Sequence, residues 1–342
     1  MSRRVAKLSG ARVDPALAQA AQRHARAVAE DTTRATRSEL ERALGREGLA
    51  DALIVPFSIV GARRAALDEA LLAFTRDTAK GRAPTHVGVA LAHRGGRLAL
   101  VALFSRRLVE LAPLPARLKP TRYTLRGRAA SPDPVSAWVL GPCRKTCGAV
   151  HGATVVREKD VLAVEVDLTR RGWYLVELFV DGARGPEPAA LWRVAVGKAG
   201  KAGKVDPWPG DTVPNTPPSH QIGRARRAAD LAPLKASSTL VKAAQRHAEA
   251  VCRTGLAVHV LKSGDTPTTR ARAAGFEGAV TENVAIATTA AQAHHNIMWS
   301  PGHRRNVMDP TATYVGIGIA TRPAAPGVAP STCLVELFGQ TL

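Results

Sequence analysis

The sequence predicts an α+β protein in which one fold occurs twice, with an antiparallel β-sandwich between the copies. Three observations carry this. First, Ala20 to Val28 returns as Ala243 to Val251 with a single difference, Arg26 against Glu249. Two further pairs follow in the same order, Thr85–Ala90 with Thr313–Gly318 and Leu100–Phe104 with Leu334–Phe338. The offsets of 223, 228 and 234 drift only as loop insertions would make them. Second, each copy places helix first and strands last, without the βαβ alternation of a parallel sheet. Third, short apolar runs between the copies recur every ten to fifteen residues, the rhythm of a small sandwich.

The elements follow in order. Leu240, Ala244, Ala248 and Val251 recur at spacings of three and four, the stripe of an amphipathic helix, and the first copy repeats it. Each copy closes on a hairpin-like pair of runs, Val87–Ala92 with Leu98–Phe104 and Val315–Ala320 with Cys333–Phe338. The middle runs are Ser136–Leu140, Val161–Leu168, Trp173–Val180 and Leu191–Val196, separated by turns at Asp133-Pro134, Gly141-Pro142 and Asp181-Gly182. Their pattern resembles an immunoglobulin-like sandwich, although the Cys…Trp…Cys spacing of that fold is absent. Gly, Lys and Pro dominate after Gly197, a composition that cannot bury a core. The expected domains are therefore 1–113, 114–197, a linker at 198–228, and 229–342.

Charge excludes less than it first suggests. The 48 Lys and Arg against 28 Asp and Glu give +20, which points toward an anionic partner. However, the charge divides evenly as +8, +6 and +6 over 1–113, 114–200 and 201–342, with no basic block. Aromatics at 4% are too few for a base-stacking platform, so no specific nucleic-acid partner is expected. No apolar stretch reaches the roughly 20 residues of a membrane helix. Met1-Ser2-Arg3-Arg4 is not followed by the apolar run of a signal peptide.

Three sequence islands set the second copy apart: His259, Thr281–Ala285 with Glu282, and Trp299–Met308 with Ser300-Pro301-Gly302-His303. Ser-Pro-Gly is expected to stop a helix and place His303 at the exit of a turn. Two imidazoles and a carboxylate on separate segments suit one metal ion or one proton-transfer site. His294 and His295, just upstream, are weighed as supplementary ligands against an exposed or capping role. His24 and His247 occupy equivalent positions in both copies, which favours a shared structural role.

In order, His259, Glu282-Asn283-Val284, Ser300-Pro301-Gly302-His303-Arg304 with Asn306, Val315–Gly318 and Leu337–Gly339 resemble the CAP superfamily of cysteine-rich secretory, antigen 5 and pathogenesis-related proteins, in its bacterial SCP-like form. The resemblance spans about 229–342. It implies an α-β-α sandwich with a surface cleft that holds two His and two Glu and takes divalent cations. Carried over, His259 and His303 are the two histidines and Glu282 is the first glutamate. The second glutamate is unmatched, with Ser300 in its place. A Zn²⁺ or other divalent cation would then rest on His259, His303 and Glu282, with Ser300 and Asn306 lining the cleft. The first copy reads Pro56-Phe57-Ser58 at the position of Glu282 and Ala79-Lys80-Gly81 near the histidine turn, so 1–113 is expected to be a degenerate CAP-like domain.

The four cysteines pair within domains. Cys252 lies late in the opening helix and Cys333 begins the last strand, so a helix lying over the sheet brings them into disulfide range. Cys143 and Cys147 suit a short-loop disulfide. An even count paired in this way favours an oxidising compartment, extracellular or periplasmic. The expected function is binding of a cation or an extracellular ligand, such as a cell-surface component, rather than turnover. The rivals are a CAP-type hydrolase using Ser300 with His303 or His259, and a cationic adhesion module for acidic polymers. The sequence leaves the oligomeric state open.

Overall fold

A computed structural model describes all residues except Ala35, 81–82, 144–146, 198–212, 214, 263, 325–329 and 341–342. The chain divides into two compact units, Met1–Leu178 with Pro188–Asp211, and Phe179–Glu187 with Thr212–Leu342.

The first unit begins with a three-layer α-β-α arrangement of α1 (Ser2–Ser9), β1 (Arg12–Val13), α2 (Pro15–Glu30), α3 (Arg37–Arg46), β2 (Ile54–Gly61), α4 (Arg64–Lys80), β3 (His86–Arg94) and β4 (Arg97–Ser105). The sheet order is β1-β3-β4-β2. Asp14 caps α2 by accepting from Leu17 N–H at 2.8 Å, and Pro15 fills the first turn where its missing donor costs nothing. Alternation along β4 splits the core: Ala99, Val101 and Leu103 face α2 and α3, while Leu100, Ala102 and Phe104 face α1 and α4.

The sandwich follows with β5 (Val109–Leu111), β6 (Arg117–Leu118), β7 (Thr121–Ala129), β8 (Val135–Cys143), β9 (Val150–Gly152), β10 (Thr154–Glu158), β11 (Val161–Leu168), β12 (Gly172–Gly182) and β13 (Gly185–Val196). Its sheets are ordered β10-β11-β7-β5 and β6-β13-β12-β8-β9. On β11, Leu162, Val164, Val166 and Leu168 are buried while their neighbours are more exposed, the period-two signature of a one-sided sheet. The expected parts 1–113 and 114–197 are held as one unit. Leu191 N–H donates to the Ala50 carbonyl at 2.7 Å, and the Arg193 guanidinium meets Glu41 at 2.9 Å. The Cys143–Cys147 disulfide is formed.

The second unit contains the turn Phe179–Glu187 and then α5 (Pro218–Arg227), β14 (Lys235–Ala236), α6 (Ser238–Thr254), α7 (Pro267–Ala273), β15 (Ala279–Ala287), α8 (Ala290–Met298), α9 (Pro301–Val307), β16 (Tyr314–Arg322) and β17 (Ser331–Gln340). Most of the expected linker, 198–212 and 214, lies outside the described residues, but its end is helical. Pro218 starts α5, and Arg226 is fully buried, donating to the carbonyls of Ala232, Val307 and Asp309 at 2.8–2.9 Å. The basic, Pro-rich composition concealed this because Arg226 is satisfied by backbone oxygens that no local pattern announces.

The second sheet, β14-β16-β17-β15, repeats the first. In both, a two-residue strand runs parallel to its neighbour, Arg12 opposite His86 and Lys235 opposite Tyr314. In both, a glycine lets the helix lie on the sheet: a Cβ on Gly88 would fall 2.3 Å from Ala18 N, and one on Gly316 2.2 Å from Leu240 C. The layers match as well. Cys333, Val335 and Leu337 face α6 and α7, while Leu334 and Phe338 face α5, α8 and α9. The Cys252–Cys333 disulfide ties α6 to β17 across a sequence separation of 81.

Candidate functional site

The site is built around β15, an edge strand that pairs only with β17, Glu282 opposite Leu337. Because side chains alternate, β15 sends Glu282 to the α6/α7 face and Asn283 to the α8/α9 face, and a polar network grows on each.

On the first face the Glu282 carboxylate is buried and fully engaged. The Nδ1 of His259 lies 2.9 Å from Oε1, and Arg270 of α7 donates to Oε2 at 2.6 Å. A carboxylate only accepts, so the His259 proton sits on Nδ1 and leaves Nε2 for other partners. His247 of α6 stands 3.8 Å from the same Oε1 and shares a 2.9 Å hydrogen bond with the Val258 carbonyl. Burial works to raise the Glu282 pKa, but the His259 hydrogen bond and the charges of His259, Arg270 and His247 outweigh it and hold the carboxyl below its usual range. Burial lowers the His247 pKa.

On the second face Asn306 of α9 donates to the Glu282 carbonyl at 3.3 Å and to Asn283 Oδ1 at 2.9 Å. Asn283 donates to Glu336 Oε2 at 3.2 Å, and Glu336 Oε1 meets His294 Nδ1 at 2.6 Å. This chain of buried groups docks α8 and α9 onto the sheet. His294 is therefore neither a cleft ligand nor an exposed cap; it is the inner end of a structural network.

Ser300 and His303 stand at the start of α9. The Ser-Pro-Gly turn forms as expected, but it leads directly into a helix: Ser300 is the N-cap, Pro301 opens the first turn, and His303 lies three residues on. Proline is harmless there because that N–H has no helical acceptor. Ser300 Oγ lies 2.6 Å from His303 Nδ1 and also accepts from the His303 amide at 3.4 Å. Burial lowers the His303 pKa to about 3, assisted by the neighbouring charges of His259 and Arg305. At neutral pH its imidazole is uncharged.

The turn Phe179–Glu187 lies over both histidines. The Phe179 ring meets the His303 ring edge-on, with centroids 5.5 Å apart and planes at 70°. Gly302 makes room, since a Cβ there would be 2.2 Å from the Phe179 ring. At the tip, the Arg184 carbonyl accepts from the amides of His259 and Val260 at 3.2 and 3.1 Å. Gly185, at φ +84°, brings the backbone against the His259 side chain.

The residues expected to bind metal do not fit a divalent cation as a set. Both Glu282 oxygens are taken, one by a guanidinium whose charge opposes a cation, and two neutral imidazoles remain. Among the described residues no group of three or more His, Cys, Asp or Glu is placed to hold a metal ion. Nor does the Ser300–His303 pair suit a nucleophile and its base. A base whose conjugate acid has a pKa of about 3 takes a proton poorly at neutral pH.

Sequence reasoning thus identified His259, Glu282, Ser300, His303 and Asn306, which the fold does bring together, but missed Arg270, His247, Glu336 and the Phe179–Glu187 turn. His247 and the first-copy His24 are both buried, in line with a shared structural role, and His247 also borders Glu282.

Residues 220–335 match the family model of CAP, the cysteine-rich secretory protein family. No curated protein matches the chain. Three solved structures are similar. An outer surface protein of Borrelia burgdorferi is 21% identical over 36% of this chain and 90% of its own, with a TM-score of 0.32. An extracellular SCP-domain protein of Bacillus anthracis is 14% identical over 70% and 77%, at 0.31. A cysteine-rich secretory protein of Staphylococcus aureus is 11% identical over 64% and 76%, at 0.28.

Proposed function

We propose that this chain, whose residues 220–335 are a CAP domain, acts outside the cytoplasm as a binding module. Its ligand is an extracellular or cell-surface component, bound without turnover in the cleft of His259, His303, Ser300 and Asn306. Two disulfides fit an oxidising compartment, extracellular or periplasmic. No helix among the described residues is long and apolar enough to cross a membrane.

The observation that carries this reading is the state of the polar groups. Glu282 is neutralised internally by Arg270 and His259, and His303 is uncharged at neutral pH. The cleft thus offers neutral imidazoles and helix-end polar groups, suited to hydrogen-bonded recognition. It lacks the poised base and free nucleophile of a hydrolase.

The test is paired. Purified cell-wall material is sedimented with wild-type protein and with His259→Ala and His303→Ala, and the same proteins are assayed for release of soluble fragments from labelled cell wall and casein. Retention of wild type that the variants lose, without fragment release, is the expected result. Release that depends on His303 contradicts it. A second reading, adhesion to acidic polymers, draws on the +20 charge. It requires retention that falls steeply with salt and ignores both cleft variants.

A further inference from the structure

We propose that the turn Phe179–Glu187 is an internal ligand of the cleft, so that the cleft recognises a polypeptide turn bearing an aromatic side chain and an external ligand binds by displacing the internal one. The proposal deepens the binding reading above and rests on it.

Three contacts make the turn look bound rather than merely adjacent. An aromatic ring occupies a slot: Phe179 is 4% exposed, edge-on to His303, in space left by the missing Cβ of Gly302. A ring edge on an uncharged imidazole is a favoured aromatic arrangement. A backbone carbonyl is read by paired donors, Arg184 C=O between the amides of His259 and Val260, the manner in which a peptide main chain is held. A bend is accommodated: Gly185 has a positive φ, and a side chain there would collide with His259. One segment therefore reaches both cleft histidines, with the ring at His303 and the carbonyl at His259.

The chemistry that recognises this segment in place also recognises it when it is supplied from outside. What is required of an external ligand is an aromatic side chain, a free main-chain carbonyl several residues on, and a bend that needs no Cβ. The covalently attached turn competes at high effective concentration, so the intact chain is expected to bind such a ligand weakly until the turn is lifted.

The experiment uses the full chain and a fluorescein-labelled synthetic peptide of residues 177–188, read by anisotropy. Phe179→Ala empties the slot, and this variant is expected to bind the peptide at least ten-fold tighter than wild type. A peptide carrying alanine in place of its phenylalanine is expected to lose that binding. Gly302→Ala closes the slot from the other side, and alanine suits a helix, so α9 tolerates it. This variant is expected to expel Phe179 yet bind no peptide. Native-state amide exchange at His259 and Val260 reports the lifted turn in both variants and is expected to accelerate at least ten-fold.

Peptide binding by Phe179→Ala no tighter than by wild type overturns the proposal, as does unchanged exchange in Gly302→Ala. The second result holds even if Phe179→Ala fails to fold. If the peptide does not bind while cell-wall retention still requires His303, the internal ligand is wrong and the binding cleft stands. If retention also ignores His303, both are wrong.

Discussion

The two copies share a scaffold strand for strand, and the second differs in having polar groups where the first has none. Pro56 faces Leu103 across its sheet as Glu282 faces Leu337. Phe57 stands where Asn283 stands, and Ala102 where Glu336 stands, by the same register. Ala29 and Ala99 occupy the positions of Cys252 and Cys333. Between the edge strand and the hairpin the first copy has the single helix α4, while the second has α8, the Ser-Pro-Gly turn and α9. Sheet order and glycine contacts therefore make the fold, and a handful of buried polar residues on one edge strand make the site.

That contrast can be broken most forcefully at Glu282. Glu282→Ala leaves the Arg270 guanidinium and His259 without their partner in a buried setting, a loss of roughly 3–5 kcal/mol. Pro56→Ala, its counterpart on the first sheet, is expected to change stability by less than about 1 kcal/mol. Chemical denaturation monitored separately at each copy checks both. Equal losses would mean that the edge strands are equally important in both copies.

Removing the disulfide makes the second copy resemble the first. Cys252→Ala with Cys333→Ala opens a loop of sequence separation 81 and is expected to cost about 4 kcal/mol on the chain-entropy account. The measurement is the denaturation midpoint of the double variant against wild type. A change below about 1 kcal/mol would show that the alanine pair of the first copy serves as well.

Acid sharpens the comparison. His303 has a folded pKa of about 3, below its ordinary value of 6.5. Between these values the unfolded chain binds a proton that the folded one refuses, so stability falls as pH drops through that window, by roughly 1 kcal/mol per pH unit. Glu282, held below its usual range, adds to the loss at the acid end. His24 gives the first copy a smaller term of the same sign, since burial lowers its pKa too. The second copy is expected to unfold first on acidification, and His303→Phe to narrow the gap. Simultaneous loss of both copies, unmoved by that substitution, would contradict this.

What was legible in the sequence follows from where the information lies. The duplication, the opening helices, the hairpins and both disulfides were readable because period and spacing are local. Edge strands β2 and β15 were not read as strands, since Pro56 interrupts one and Glu282-Asn283 places polar residues on both faces of the other. The expected linker hid α5 because the buried Arg226 looks like any of the 37 arginines in the sequence. The same abundance hid Arg270, whose significance is its 2.6 Å contact with a carboxylate twelve residues away. His259, Glu282 and His303 were visible as islands, but not that Glu282 is neutralised from within, nor that Phe179, 124 positions before His303, covers it.

The central claim is that the cleft of the second copy is organised by its own guanidinium–carboxylate–imidazole contacts and is not a metal centre. Calorimetric titration of wild type and of the His259→Ala, His303→Ala double variant with Zn²⁺ at neutral pH tests it most directly. The account predicts matching heats, with no saturable site that the double variant lacks. A saturable one-site isotherm in wild type that the double variant abolishes would contradict it.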